Sequence, residues 1–255
     1  MSDRAARAYL VTGGADGFGR ELALGLADAG LDVAVVGDSG REEEVKGELE
    51  ELGVKSAAAT TDFRTREATE LAFREAVQSL GRLDGVLHAR ICPQALQPGA
   101  FHEIDDASFD TCCEAEIRAA IFTLQAARAC FSQPHGRIVL VTPTLALSGA
   151  AGHAALSAAF EAQRAMAKSA ARQWGRSNIL VNCIAPALEA VLPQADAASE
   201  ASAAGGGQSL DGASLGGRGD MRRDIAPFIA LLARDGAHFV TGQTICLDGG
   251  VWLAS

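Results

Sequence analysis

The sequence lacks several features that would each point to a particular class of protein. It contains no run of about 18 or more apolar residues, so a membrane-spanning helix is not expected. Basic residues are the minority, with 22 Lys and Arg against 32 Asp and Glu, and the formal charge of −10 argues against nucleic acid or an anionic membrane as a partner. Aromatic residues make up only 5%, and Tyr9 is the single tyrosine. Any chemistry that needs a phenol therefore has one possible source.

The cysteines also lack the spacing that is typical of metal ligands. The chain has six of them: Cys92, Cys112, Cys113, Cys130, Cys183 and Cys246. They stand in apolar surroundings, which predicts reduced and buried thiols in a cytoplasmic protein. The first residues, 1–5, lack the apolar stretch of a secretion signal, and this agrees with a cytoplasmic location.

Short apolar runs alternate with longer helical patterns along the chain, which is typical of β-α-β units. The predicted strands are Ala8–Thr12, Asp32–Gly37, Lys55–Thr61, Leu83–His88, Arg137–Thr142, Ile179–Ile184 and Thr244–Leu247. The predicted helices are Phe18–Ala29, Arg41–Leu52, Arg64–Leu80, Ala107–Cys130, Gly152–Gly175 and Arg222–Arg234. The sequence thus predicts one α/β domain over 1–255, a Rossmann-type doubly wound sheet of seven parallel strands with helices on both faces.

One segment departs from this alternation. From Pro193 to Gly217 the composition is dominated by Ala, Ser, Gly and Gln. Such a segment buries too little apolar surface to offset the entropy of ordering it, so 193–217 is predicted to be a mobile loop.

A glycine-rich turn joins the first strand to the first helix, in the order Thr12-Gly13-Gly14-Ala15-Asp16-Gly17-Phe18-Gly19. Gly13 permits a tight turn, Gly17 lets the backbone approach a pyrophosphate, and Gly19 allows the helix to pack closely on the strand. The amides at the helix N-terminus favour the phosphates. Such a turn between a strand and a helix predicts a dinucleotide site.

Two acids complete the adenosine half of the predicted site. Asp38 ends strand two, where a carboxylate can hold the ribose hydroxyls and disfavours a 2′-phosphate, so NAD is predicted rather than NADP. Asp62 ends strand three and could meet the adenine amino group. The alternative is a plain glycine turn beside two solvated acids.

Residues Thr12 to Gly19 resemble the Thr-Gly-x-x-x-Gly-x-Gly fingerprint of the short-chain dehydrogenase/reductase family. The segments 182–186 and 239–250 resemble the family's stretch after strand six and its C-terminal strand. The resemblance covers nearly the whole length, except 193–217, and implies an oxidoreductase fold. The predicted cofactor-binding residues are Gly13, Asp16, Gly17, Phe18, Gly19, Asp38, Asp62 and Phe63.

The resemblance also shows what is missing. Members of the family use an Asn, a Ser, a Tyr and a Lys, in which the Lys lowers the pKa of the Tyr that acts as acid and base. These four positions fall on Glu116, Pro143, Leu156 and Phe160. No other tyrosine and lysine can replace the pair, because Tyr9 starts strand one and the lysines are Lys46, Lys55 and Lys168. No catalytic residue is therefore assigned.

The nicotinamide contacts of the family are altered as well. Ile91 stands where the family has a glycine close to the cofactor, and Val191 stands where a Thr holds the carboxamide. We therefore expect weak or vestigial NAD binding, or none. Leu156 and Phe160, spaced i to i+4, should pack together and fill the vacated pocket.

Four polar residues near this region leave alternatives open. The family's Asn-Asn-Ala-Gly stretch after strand four falls on residues 88–91, and His88 either fills the position of its first Asn or serves the cofactor site. Arg90 either binds a phosphate or carboxylate, or forms a surface or interface ion pair. Glu116 keeps a carboxylate near the cleft but has no proton circuit there. His153 either acts as a general base or is a capped or solvated residue at a helix start.

Family members generally form tetramers, with one dimer contact through the helices matching 107–130 and 152–175, and another through the last helix and strand. Both regions are intact in this sequence. The resemblance thus implies a non-catalytic subunit in a heterotetramer with an active family member, similar to a two-subunit hydroxyacyl-CoA dehydrogenase. A purely homo-oligomeric protein would contradict this. Two other functions stay open: an enzyme that uses His153 or Glu116, and an NAD(H)-binding sensor.

Overall fold

All seven strands of the computed structural model run parallel in one sheet, in the order β3-β2-β1-β4-β5-β6-β7. The structure describes residues 7–131, 135–192, 214–215 and 219–253. The strands are β1 Ala8–Thr12, β2 Asp32–Gly37, β3 Ser56–Thr60, β4 Gly85–His88, β5 Gly136–Val141, β6 Ile179–Pro186 and β7 Thr244–Leu247. The strand order reverses between β1 and β4, and in such sheets ligands bind outside the carboxyl ends of the strands at that point.

Nine α-helices are described in these ranges. They are α1 Gly17–Asp28, α2 Glu42–Glu51, α3 Arg66–Leu80, α4 Asp106–Phe109, α5 Ala115–Cys130, α6 Leu145–Ser148, α7 Ala154–Trp174, α8 Leu188–Val191 and α9 Ala226–Leu232. Two π-helical turns, Asp110–Glu114 and Met221–Ile225, lead into α5 and α9. None of the described helices is long and apolar enough to cross a membrane.

Helices cover both faces of the sheet. Successive residues of a strand therefore place their side chains in two separate apolar clusters, one on each face. Tyr9 and Val11 belong to the cluster that holds side chains of α1, α2 and α9. Ala8 and Leu10 belong to the cluster that holds side chains of α3 and α5. The side chains alternate between the two faces with a period of two, as expected for a strand that is buried on both sides. The predicted doubly wound sheet is confirmed.

Several boundaries differ from the sequence prediction by one to three residues. β4 begins at Gly85, two residues after the predicted start, and the side chain of the preceding Asp84 accepts a hydrogen bond of 2.9 Å from the Ala8 amide. α3 begins after Thr65, whose side-chain oxygen accepts from the Ala68 amide. β6 reaches Pro186 because its last residues pair with β7.

The two largest differences from the predicted helices are both π-helical turns. The predicted helix 107–130 is interrupted by the turn Asp110–Glu114, and the predicted helix 222–234 starts with the turn Met221–Ile225. A π turn inserts one extra residue, which a period of 3.6 in the sequence does not reveal. The predicted mobile loop 193–217 lies outside the described residues, apart from Ser214 and Leu215.

Tyr9 is part of the core and not of the ligand cleft. It is fully buried, and its ring lies so close to Gly85 that a Cβ on that glycine would sit 2.1 Å from the ring. Its hydroxyl has no hydrogen-bond partner among the described residues. Burial raises the pKa of Tyr9 above its usual value. The only phenol of the chain is therefore held neutral at the amino end of β1, away from the strand ends where ligands bind.

We expect Tyr9→Phe to leave the free energy of unfolding unchanged or to raise it by about 1 kcal/mol, since it removes a buried hydroxyl that makes no hydrogen bond. Tyr9→Ala serves as the control and should lower it by about 3–5 kcal/mol through the cavity that it leaves. Urea denaturation of both variants measures the two changes. A loss of more than about 1 kcal/mol in Tyr9→Phe would show that the hydroxyl has a partner.

Candidate functional site

A cleft of about 720 Å³ opens at the carboxyl ends of β1, β2 and β4, at the reversal of strand order. Of the predicted cofactor residues, it brings together Gly13, Asp16, Gly17, Phe18 and Asp38. Gly19, Asp62 and Phe63 do not line it. Its wall also includes Ile91, Pro93, Leu96, Val191, Leu192 and Met221, which make the opposite end apolar.

The glycine turn has the geometry that its sequence predicts. Gly13 and Gly17 have φ of +70° and +46°, a region that favours glycine. A Cβ on Gly19 would lie 2.0 Å from the Gly13 carbonyl oxygen, so helix α1 packs directly on the turn. No described atom lies within 4 Å of a Cβ on Gly17, so that stretch of backbone faces open space. This end of the cleft suits a phosphate group at the start of a twelve-residue helix.

The residues predicted for the adenine lie just outside the cleft. Asp62 is exposed and accepts a hydrogen bond of 3.0 Å from the Arg64 amide. Phe63 is buried, with a left-handed φ of +56°, and its ring lies under the guanidinium of Arg90 at 5.5 Å. Asp38 is half-exposed at the end of β2 and faces the same arginine.

The positions of the family's Tyr and Lys are part of the apolar core. Leu156 is 1% exposed and Phe160 is 0% exposed, and both belong to one buried cluster with Val139 and Val141 of β5. Pro143, at the Ser position, is buried just after that strand. These side chains hold no titratable proton. Leu156 and Phe160 are thus both buried in the same apolar cluster, as their spacing predicts.

Arg164 lies one turn further along the same buried face of α7. It was not among the candidate residues predicted from the sequence. It is 2% exposed, and its guanidinium donates to the Thr142 and Pro143 carbonyl oxygens at 2.6 and 2.8 Å. It also pairs with Glu161, three residues earlier on α7. The only sequence signal was its spacing of four residues from Phe160, which places both on one helix face. This arginine satisfies the backbone just beyond β5.

The Asn position holds a buried acid that is tied to an arginine. Glu116 is fully buried, and one of its oxygens accepts from Arg90 at 2.7 Å and from the Cys92 amide at 2.9 Å. Burial raises the pKa of Glu116, against the opposing effect of the Arg90 charge. Of the two interpretations of Arg90, the structure shows an ion pair, but a largely buried one.

His88 is the last residue of β4 and lies in the interior of the sheet. It is 1% exposed, and its Nδ1 lies 2.7 Å from the Thr12 hydroxyl oxygen. Burial lowers the pKa of His88 to about 3, and the positive charge of Arg90 acts in the same direction. The imidazole is therefore neutral at pH 7 and part of the sheet's interior.

A second cavity of about 530 Å³ lies on the other side of Leu156, between the segment 94–105 and the start of α7. His153 lines it and is 9% exposed. It is the N-cap residue of α7, as the helix-start interpretation predicted, but its side chain is largely buried rather than solvated. Cys112 also lines it. All six cysteines are free, but only Cys113 and Cys183 are buried; the others are partly exposed, which corrects the prediction that all are buried. No metal-binding cluster occurs among the described residues.

A dinucleotide fits the cleft at one end only. The open backbone at Gly17 and the carboxylate of Asp38 suit a phosphate and a ribose. At the other end the branched side chains of Ile91 and Val191 form the wall where the family has a glycine and a Thr. Arg90 lies between the two ends. The residues present therefore do not fit a nicotinamide riboside.

Comparison with known proteins agrees with this fold. The family model described as enoyl-(acyl carrier protein) reductase matches residues 13–252. The subunit BbsD of (2S)-[(R)-hydroxy(phenyl)methyl]succinyl-CoA dehydrogenase from Thauera aromatica is 29% identical over 253 residues, which are 96% of each chain. The 3-oxoacyl-[acyl-carrier-protein] reductase FabG of Staphylococcus aureus is 30% identical over 251 residues, covering 97% of this chain and 98% of the reductase.

Solved structures give the same result. A dehydrogenase/reductase from Sinorhizobium meliloti superposes with a TM-score of 0.83 at 29% identity, covering 97% of this chain and 96% of that one. A short-chain type dehydrogenase/reductase from Mycobacterium ulcerans also gives 0.83, at 27% identity over 96% of this chain and 89% of that one. The chain belongs to the short-chain dehydrogenase/reductase family of oxidoreductases.

The burial of His88 predicts a specific pH dependence. The unfolded histidine takes up a proton near pH 6.5, whereas the folded one stays neutral down to about 3. Acid therefore favours the unfolded chain over this interval. Relative to His88→Asn, the native protein should lose up to about 1.4 kcal/mol of unfolding free energy per pH unit below pH 6.5.

Urea denaturation of both proteins between pH 7 and pH 4 measures this difference. The exposed His102→Asn is the matched control and should follow the native protein at every pH. Parallel curves for the native protein and His88→Asn would show that His88 is protonated in the folded state.

A lysine at position 160, where the family has one, should lower the free energy of unfolding. Phe160→Lys places an ammonium among apolar side chains and should lower the free energy of unfolding by more than about 3 kcal/mol. Phe160→Leu, which keeps an apolar side chain, should cost only about 1 kcal/mol. The loss in Phe160→Lys should also shrink as the pH rises toward 10, since the neutral amine is cheaper to bury. Equal losses in the two variants would contradict the packing described for this site.

Proposed function

We propose that this chain is the non-catalytic subunit of a heteromeric, NAD-dependent short-chain dehydrogenase. In this assembly an active member of the same family oxidises a secondary alcohol or a hydroxyacyl-CoA type substrate. The observation that carries the proposal is the burial of Leu156 and Phe160 in the apolar core, at the positions of the family's acid/base Tyr and its Lys.

No other described group replaces the missing proton donor. Tyr9 is buried at the opposite end of β1, and burial raises its pKa further. Lys168 is exposed, two helical turns beyond Phe160 on α7. Glu116 is fully buried and engaged with Arg90 and the Cys92 amide. A hydride transfer to or from a carbonyl needs a group that exchanges a proton with its oxygen, and among the described residues neither a tyrosine nor a lysine lines the cleft.

Exposed aromatic side chains support an assembly role. Phe101 and Phe109 are exposed near the start of α5, beside one contact region of family tetramers. Phe239 is 95% exposed, between α9 and β7, and Leu253 is exposed after β7, beside the other contact region. Large apolar side chains exposed in such places are typical of protein interfaces.

A relative of this chain is itself one subunit of an enzyme. The similar protein from Thauera aromatica is named as a subunit of a succinyl-CoA derivative dehydrogenase. This supports a heteromer, and it supports a hydroxyacyl-CoA as the substrate class of the active partner. The expected contribution of the present chain is to stabilise the assembly and to shape the partner's substrate pocket.

Purification from the native cell should recover this chain in stoichiometric amounts with a second family member that carries the Ser, Tyr and Lys. Alcohol oxidation with NAD should be measurable for the complex and absent for this chain alone. Phe239→Glu should weaken the assembly, because it places a charge in the proposed contact. Leu52→Glu, on an exposed residue at the end of α2, is the matched control and should assemble normally.

Two results would overturn the proposal. One is a native protein that contains only copies of this chain. The other is turnover by this chain alone that is abolished by His153→Ala, which would indicate an enzyme with different acid–base chemistry.

A further inference from the structure

Arg90 is the residue at which this cleft departs most from a cofactor site. It follows β4 by two residues, and its side chain is only 14% exposed. Its guanidinium contacts three groups: Glu116 at 2.7 Å, Asp38 at 3.5 Å and the ring of Phe63 at 5.5 Å. Two carboxylates and an aromatic face therefore hold one cation in place.

The side chain of Arg90 crosses the end of β1. Asp38 follows β2 directly, Arg90 follows β4, and β1 lies between these two strands in the sheet. Neighbouring strands are about 4.8 Å apart, so the contact with Asp38 spans the glycine turn. The Arg90 backbone also lies on this turn, because a Cβ on Gly13 would be 2.7 Å from the Arg90 Cα.

A dinucleotide in a sheet of this kind takes the same path. Its adenosine ribose lies at the end of β2, its pyrophosphate at the turn after β1, and its second nucleoside beyond the reversal of strand order. The bridge from Asp38 to Glu116 runs from one side of that reversal to the other. The guanidinium therefore occupies space across the end of β1 that a dinucleotide would need between its adenosine ribose and its second nucleoside.

The charges around the cleft keep Arg90 where it is. The acids on its wall are Asp16, Glu21, Asp38, Glu42 and Asp220. Arg90 is the one Lys or Arg on that wall among the described residues. Moving it out would leave Glu116 as a buried acid without its cation, and an incoming pyrophosphate would face the remaining carboxylates.

We propose that Arg90 determines the ligand specificity of this cleft: its bridge between Asp38 and Glu116 occupies the path of a dinucleotide and excludes NAD and NADH. This inference rests on the proposed function, in which the active partner supplies the cofactor site. The family's Asn-Asn-Ala-Gly stretch after strand four has an alanine where this chain has Arg90, and its catalytic Asn stands where this chain has Glu116, so the cation and one of its two acids depart from the family pattern.

The double variant R90A/E116N tests this, because it removes both charges together and leaves no orphaned buried acid. Calorimetric titration with ADP-ribose, which is the dinucleotide without its nicotinamide, reports on the path as far as the second ribose, and titration with NADH includes the nicotinamide end as well. We expect ADP-ribose to bind the double variant at least about tenfold more tightly than the native protein, which corresponds to about 1.4 kcal/mol. NADH should gain less, because Ile91 and Val191 remain.

Arg64→Ala is the matched control, since this exposed arginine pairs with Asp62 outside the cleft. It should bind both ligands like the native protein, and a thermal melt should show that all variants are folded. An unchanged affinity for ADP-ribose in the folded double variant would overturn the proposal. A weaker affinity would also overturn it and would identify Arg90 as a phosphate ligand. Either result leaves the non-catalytic role standing, because that role rests on Leu156 and Phe160.

Discussion

The apolar packing of the first turns of α7 over the carboxyl end of β5 is the contact on which the rest of this site depends. Leu156 and Phe160 enter the core there, and burial of such side chains stabilises a fold by about 1.5–3 kcal/mol each. A Tyr and a Lys at these positions need solvent, a ligand or each other. An apolar pair needs only close neighbours, so the same helix stabilises this domain and closes the space in which the family's chemistry takes place.

The polar groups around this contact bond to one another and to the backbone inside the protein. Arg164 donates to the carbonyl oxygens that follow β5, and His88 is kept neutral beside Thr12. Glu116 accepts hydrogen bonds from the Arg90 guanidinium and from the Cys92 amide. Each group turns toward the protein interior rather than toward the cleft. Such a set of internal contacts supports the proposed non-catalytic role.

Much of the fold could be predicted because its signals are local. Strands β1, β2 and β7 begin and end where the apolar runs do, and the glycine turn has the positive φ angles that its spacing requires. The π turn at Asp110–Glu114 was missed because an inserted residue leaves no periodic trace. The partners of Arg90 and the role of Arg164 could not be predicted, because the contacts they make join residues 21 to 52 positions apart in the chain.

The sequence by itself determined the family and the parallel sheet, because the fold pattern is a property of local sequence. Only the tertiary structure decided which side chains meet at the candidate site. The order β2-β1-β4 brings Asp38 within reach of Arg90, and the packing of α5 buries Glu116 beside it. A buried charge needs a partner at contact distance, and contact distances between strands exist only once the sheet has formed.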